Sequence, residues 1–161
     1  MKILSLQVAL IVTLSVVSCR SAQQGLVARY NFDEGSGSLL HDLCGNGNDG
    51  TIHGAQFVKC GVGHALSFDG VDDYVAFPAT KSLDITDEIT VAVWVKPEAL
   101  PGFGEPGVVG KGYESYVLTY YQDGGCWWYI SGGPNNCKAN VPLGSWHHVV
   151  GTFDGRKMRL Y

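Results

Sequence analysis

Along most of this chain apolar and polar residues alternate with a period of two, the spacing that sends successive side chains to opposite faces of a β-strand. Residues 26–32 are the first clear case, with Leu26, Ala28, Tyr30 and Phe32 on one face. Shorter candidates follow at 39–43, 51–53 and 56–58. Residues 65–68 and 74–77 read as the arms of a hairpin whose turn, Asp69-Gly70-Val71-Asp72-Asp73, carries three carboxylates. In the second arm Val75 and Phe77 point one way, Tyr74 and Ala76 the other. Residues 89–95 are apolar on both faces, which predicts a covered, central strand. Further strands are expected at 108–110, 116–120, 126–130, 138–141 and 146–153. Asp154-Gly155 then signals a hairpin turn into a return strand from 158.

The segments between these strands are turn formers. Gly45-Asn46-Gly47-Asn48-Asp49-Gly50 must reverse tightly, because Asn and Asp tolerate the left-handed conformation and Gly prefers it. Ser82-Leu83-Asp84 looks like a capped single turn, and Pro97, Pro101 and Pro106 with three glycines make a long loop. Glycine accounts for 22 of 161 residues, about twice average usage. With no amphipathic helix of any length, the chain reads as a single all-β sandwich. The abrupt end inside the return strand predicts a domain truncated at its C-terminus.

The N-terminus follows a different pattern. Lys2 precedes an apolar run, residues 3–17, long enough for the core of an export signal and short for a membrane span. Residues 1–18 are therefore expected to be a leader. Val16-Val17-Ser18-Cys19 resembles a bacterial lipobox, which would make Cys19 a lipid-anchored first mature residue ahead of a short linker, 19–24. Ordinary cleavage near residues 18–22 is the alternative. Either route places the protein outside the cytoplasm, secreted or on the cell-envelope surface.

Export changes how the cysteines are read. Setting Cys19 aside leaves Cys44, Cys60, Cys126 and Cys137, an even number in an oxidising compartment. Of three pairings, Cys44 with Cys60 and Cys126 with Cys137 are favoured, since each closes a short loop between neighbouring strands. The spacings of 16 and 11 fit no zinc finger or ribbon. A formal charge of −4, without a basic cluster, disfavours nucleic acid as a partner.

Five segments, taken in order, resemble the LamG-like jelly-roll family. They are residues 26–37 (LVARYNFDEGSG), 45–50 (GNGNDG), 65–75 (ALSFDGVDDYV), 89–97 (ITVAVWVKP) and 146–155 (WHHVVGTFDG). The resemblance covers 25–161 and implies a concanavalin A-like sandwich of two antiparallel sheets, often with calcium in the loops at one edge. Family members continue past this chain's end, with one later strand beside the first, so residues 26–32 are expected to keep an unpaired edge.

That resemblance frames the candidate sites. Calcium takes six to eight oxygens, and irregular glycine loops can aim several at one point. The candidate ligands are Asp33, Asp42, Asn46, Asp49, Asp69, Asp72 and Asp73, with the 45–50 turn expected to complete any site built on the last three. The same acids can instead cap their own turns. Carbohydrate recognition needs exposed rings, and Tyr113, Tyr116, Tyr120, Tyr121, Trp127, Trp128 and Tyr129 lie close in sequence. Strand alternation places Trp128 opposite Trp127 and Tyr129, so one set belongs to the core. No strand carries the alternating acids of a glucanase, and no GxSxG elbow or phosphate loop occurs. His147 and His148 face opposite ways on one strand and read as structural. The expected function is a noncatalytic extracellular module that binds glycans or surface proteins, with structural calcium. The alternatives are an accessory domain of a secreted glycoside hydrolase and a purely structural adhesion module.

Overall fold

The structure, a computed structural model, describes residues 6–9, 25–102, 106–133 and 136–161. Apart from residues 6–9, the expected leader lies outside the described residues, as do Cys19 and most of the 19–24 linker. Thirteen strands are described: β1 Leu6–Ala9, β2 Leu39–Leu40, β3 Gly50–His53, β4 Gln56–Cys60, β5 Gly63–Phe68, β6 Tyr74–Ala76, β7 Glu88–Pro97, β8 Gly107–Gly110, β9 Tyr116–Tyr120, β10 Gly125–Ile130, β11 Cys137–Asn140, β12 His147–Asp154 and β13 Met158–Leu160. One 3₁₀ turn, Lys81–Leu83, interrupts them, and no α-helix occurs among the described residues. The protein is an all-β jelly-roll sandwich.

Every ladder is antiparallel. A six-stranded sheet runs β13-β12-β7-β1-β5-β4 and a four-stranded sheet β11-β10-β9-β8, with β2-β3-β6 forming a third, small sheet. The apolar strand expected to be covered and central is central, since β7 pairs with β12 along Glu88–Val95 and with β1 on its other side, but it is covered on one face only, with Thr90 and Ala92 exposed on the other. The sandwich closes where Trp128 of β10, fully buried, lies against Gly151 of β12. A β-carbon at Gly151 would come within 2.6 Å of the indole, so only glycine fits beneath it. The Trp128 Nε1–H donates to the Thr152 carbonyl at 3.2 Å, which satisfies its polar edge inside the core. Leu66, Ile89, Val93, Val95 and Val149 from one sheet meet Leu118, Tyr120, Cys126 and Ile130 from the other.

Three expectations are corrected. Residues 26–32 form no strand: the segment is tied by single bonds, such as Leu43 N–H to the Arg29 carbonyl at 2.9 Å, and Phe32 takes a φ of 60°. Without a ladder partner the alternating pattern alone cannot hold a strand. Second, β5 and β6 are not a hairpin. β5 pairs with β4 and β1, whereas β6 pairs with β3, so the Asp69–Asp73 turn carries the chain from one sheet to another. Third, the capped turn expected at Ser82-Leu83-Asp84 is a 3₁₀ turn at Lys81–Leu83 without a side-chain cap, the hydroxyls of Thr80 and Ser82 both bonding Asn48.

The cysteines are not bridged as expected. Cys60, Cys126 and Cys137 carry free thiols. Cys126 stands opposite Ala139 and Cys137 opposite Trp128, an offset of two residues along adjacent strands. Such diagonal neighbours sit about 7–8 Å apart, beyond ordinary disulfide reach without backbone movement.

Candidate functional site

The three carboxylates of the Asp69–Asp73 turn converge. One oxygen from each of Asp69, Asp72 and Asp73 lies within 4.8 Å of the others. Local bonding produces this. The Asp69 N–H donates to Asp73 Oδ2 and the Val71 N–H to Asp69 Oδ1, both at 2.8 Å, which folds the turn back on itself. The remaining oxygens are left for solvent or an ion, and the acids around them are mostly exposed. The turn packs at Gly54, just after β3, whereas residues 45–50 sit at the other end of that strand. A four-residue strand separates the two by about 10–13 Å. The 45–50 turn therefore does not supply further oxygens to these acids.

The other candidate ligands build a structural knot. Asp42, buried, accepts backbone N–H groups from Arg29, Cys44 and Asn46 at 2.9–3.2 Å, while its own N–H donates to Asp49 Oδ1 at 2.7 Å. Asn46 Nδ2 donates to the Val27 carbonyl at 2.8 Å. Asp33 bonds Asn31. Asn48, which the sequence reading passed over, is the centre of this region. Fully buried, it donates to the Val27 carbonyl, accepts from the Thr80 and Ser82 hydroxyls, and offers its carbonyl to Tyr30 Oη at 2.6 Å. Burial, with Asp42 and Asp49 nearby, raises the Tyr30 phenol well above its ordinary pKa, so it remains a donor. The signal that could have found Asn48 was its place in the glycine turn, where an amide can serve three chain segments at once.

The aromatic cluster is split by the pleat. Tyr116, Tyr120 and Trp128 belong to the core and are removed from the ligand-binding set. Tyr116 and Tyr120 donate their hydroxyls to the Leu83 and Val141 carbonyls at 3.2 and 2.9 Å. Trp127 and Tyr129 point the opposite way, on the outer face of the four-stranded sheet. There Tyr121 lies 5.3 Å from the Trp127 ring and Tyr113, 43% exposed, 5.4 Å from Tyr129. Lys138, directly across the ladder, places its ammonium 5.5 Å above the Trp127 ring and pairs with Asp123 at 2.5 Å. That ammonium, followed by the Gly125 N–H, holds the Asp123 carboxyl below its usual range. The result is an outward platform of four rings with one cation and one anion at its edge.

The two histidines have separate tasks. His147 Nε2 lies 2.9 Å from Ser145 Oγ and 3.1 Å from the Pro142 carbonyl, fastening the loop before β12. His148 stacks on Trp94 at 5.0 Å on the outside of the six-stranded sheet.

An antiparallel sandwich built on a six-stranded and a four-stranded sheet defines the class of β-sandwich proteins. The match of residues 69–161 agrees: the chain belongs to the concanavalin A-like lectin/glucanases superfamily. No curated protein and no solved structure matches it. That superfamily contains both binders and enzymes. No described helix is long and apolar enough to cross a membrane.

Proposed function

We propose that this protein is a noncatalytic, extracellular carbohydrate-binding module that engages glycans on the outer face of β9–β11. The observation that carries the reading is the outward pair Trp127 and Tyr129, flanked by Tyr121 and Tyr113 and edged by Lys138 and Asp123. Residues i and i+2 on a strand stand about 7 Å apart, so two rings present adjacent apolar plates. Sugar rings stack on such plates through their C–H faces, while a carboxylate and an ammonium bond their hydroxyls. Export by residues 1–18, with Cys19 as first mature residue, belongs to the same reading.

A structural calcium ion fits the Asp69, Asp72 and Asp73 oxygens, which offer hard anionic donors at one point. Its place would be to hold the crossing between sheets, with no part in chemistry. The carboxylates of the Asp42 knot are consumed by backbone N–H groups, which favours structure over acid–base work there.

Glycan-array screening followed by calorimetry tests the reading. Trp127→Ala and Tyr129→Ala should each weaken binding at least about tenfold while leaving the melting transition in place. No binding to any glycan, with or without calcium, would remove the lectin function.

A further inference from the structure

Residues 113–140, which carry the rings of the outer platform, hold three charged side chains, Glu114, Asp123 and Lys138, and Lys138 is the one cation among them. Its stem crosses from the row of Trp127 to Gly125, where a β-carbon would overlap the Lys138 Cε. Only glycine leaves that path open. The ammonium it admits ends 2.5 Å from Asp123 Oδ2 and 5.5 Å from the centre of the Trp127 ring. Asp123 Oδ1 accepts the Gly125 N–H at 2.9 Å, so the carboxylate is anchored to the start of β10.

An ion pair so placed brings no net charge to the edge of Trp127. The Lys138 bond, ahead of the Gly125 N–H, holds the Asp123 carboxyl below its usual range, and the pair stays ionised at neutral pH. A ligand carboxylate brought to the same ammonium would lie within about 4–6 Å of Asp123, where like charges repel. A neutral sugar meets no such repulsion, because its hydroxyls accept from the ammonium's remaining N–H groups and donate to the carboxylate. We infer that Asp123 is the specificity-determining residue of the platform, which selects uncharged glycans and rejects those carrying uronic acids. The inference rests on the glycan reading of this face.

The probes are matched hexasaccharides of the gluco, galacto and manno series that differ only at the sixth carbon, hydroxymethyl against carboxylate. By calorimetry at low salt the native protein should bind the neutral member at least about tenfold more tightly than the uronate. Asp123→Asn, whose amide oxygen still accepts the Gly125 N–H, should strengthen uronate binding at least about fivefold and leave neutral binding within about twofold. That gain should vanish at about 0.5 M salt, and also in the Asp123→Asn, Lys138→Met double variant, which keeps a stem over Gly125 without its charge. Both side chains are exposed, so neither change empties the core. An unchanged ratio of uronate to neutral binding in Asp123→Asn overturns the inference, as does a gain that survives the loss of Lys138, or a native preference for uronates. Trp127→Ala separates the two readings. If it weakens glycan binding while Asp123→Asn leaves the ratio unchanged, charge selection alone fails, whereas no binding to any glycan removes both.

Discussion

The carboxylate of Asp73 occupies the space that a β-carbon on Gly54 would need. Gly54 also has a φ of +78°, so side chain and backbone both require glycine. Gly54→Ala should push Asp73 away from the Asp69 N–H it accepts, costing about 1–3 kcal/mol. It should also abolish any calcium-dependent rise in melting midpoint. Urea denaturation with calcium and with EDTA checks both effects, and an unchanged midpoint would contradict the packing described.

The Trp128–Gly151 contact sets the spacing of the two sheets. Gly151→Ala drives a methyl into the indole and should destabilise the fold by about 1–3 kcal/mol. Trp128→Ala, which empties the same place, should cost about 3–5 kcal/mol. Denaturant midpoints at constant slope are the measurement.

Asn48 ties residue 27 to residues 80 and 82. Asn48→Ala removes one of two donors to the Val27 carbonyl and the amide oxygen that the Thr80 and Ser82 hydroxyls share, and should cost about 1–3 kcal/mol. Asn46→Ala, at an exposed bond to the same carbonyl, should cost less. Equal losses by thermal melting would show that burial does not decide the difference.

Asp154 gives the β12–β13 hairpin a pH dependence. The Lys157 N–H, the Arg159 guanidinium and the Arg156 N–H lower its pKa from 3.8 to about 2. A depressed folded pKa means its contribution is fully present above about pH 4 and is lost as pH falls through about 2. The stability difference between the native protein and Asp154→Asn should therefore shrink across that window. A difference that stays constant from pH 5 to pH 2 would assign the hairpin's stability to other groups.

Burial pushes the Cys126 thiol up to about 12. At pH 8 its thiolate is then only about 10⁻⁴ of the total, so alkylation should reach Cys60 and Cys137 first and Cys126 only on unfolding. Peptide mass mapping after timed alkylation reads this order. Early modification of Cys126, or a Cys126–Cys137 bridge, would contradict it.

Period-two alternation and glycine turns were enough to determine an all-β chain, because they depend on local geometry alone. The central place of β7 in its sheet was legible from its unbroken apolar run, but the cover expected on both faces was not met: Ile89, Val93 and Val95 are buried, whereas Thr90 and Ala92 on the other face are exposed. The pleat also required Trp127 and Trp128 to part. Only the tertiary structure decided which of them faced out, since that depends on the Gly151 surface, far away in sequence. It likewise decided that the Asp69–Asp73 turn crosses between sheets and packs on Gly54, because strand pairing is a property of two segments. Residues 26–32 show the limit most plainly. Their alternation suits a strand, yet among the described residues no strand pairs with them, and a strand exists only where its backbone groups find another.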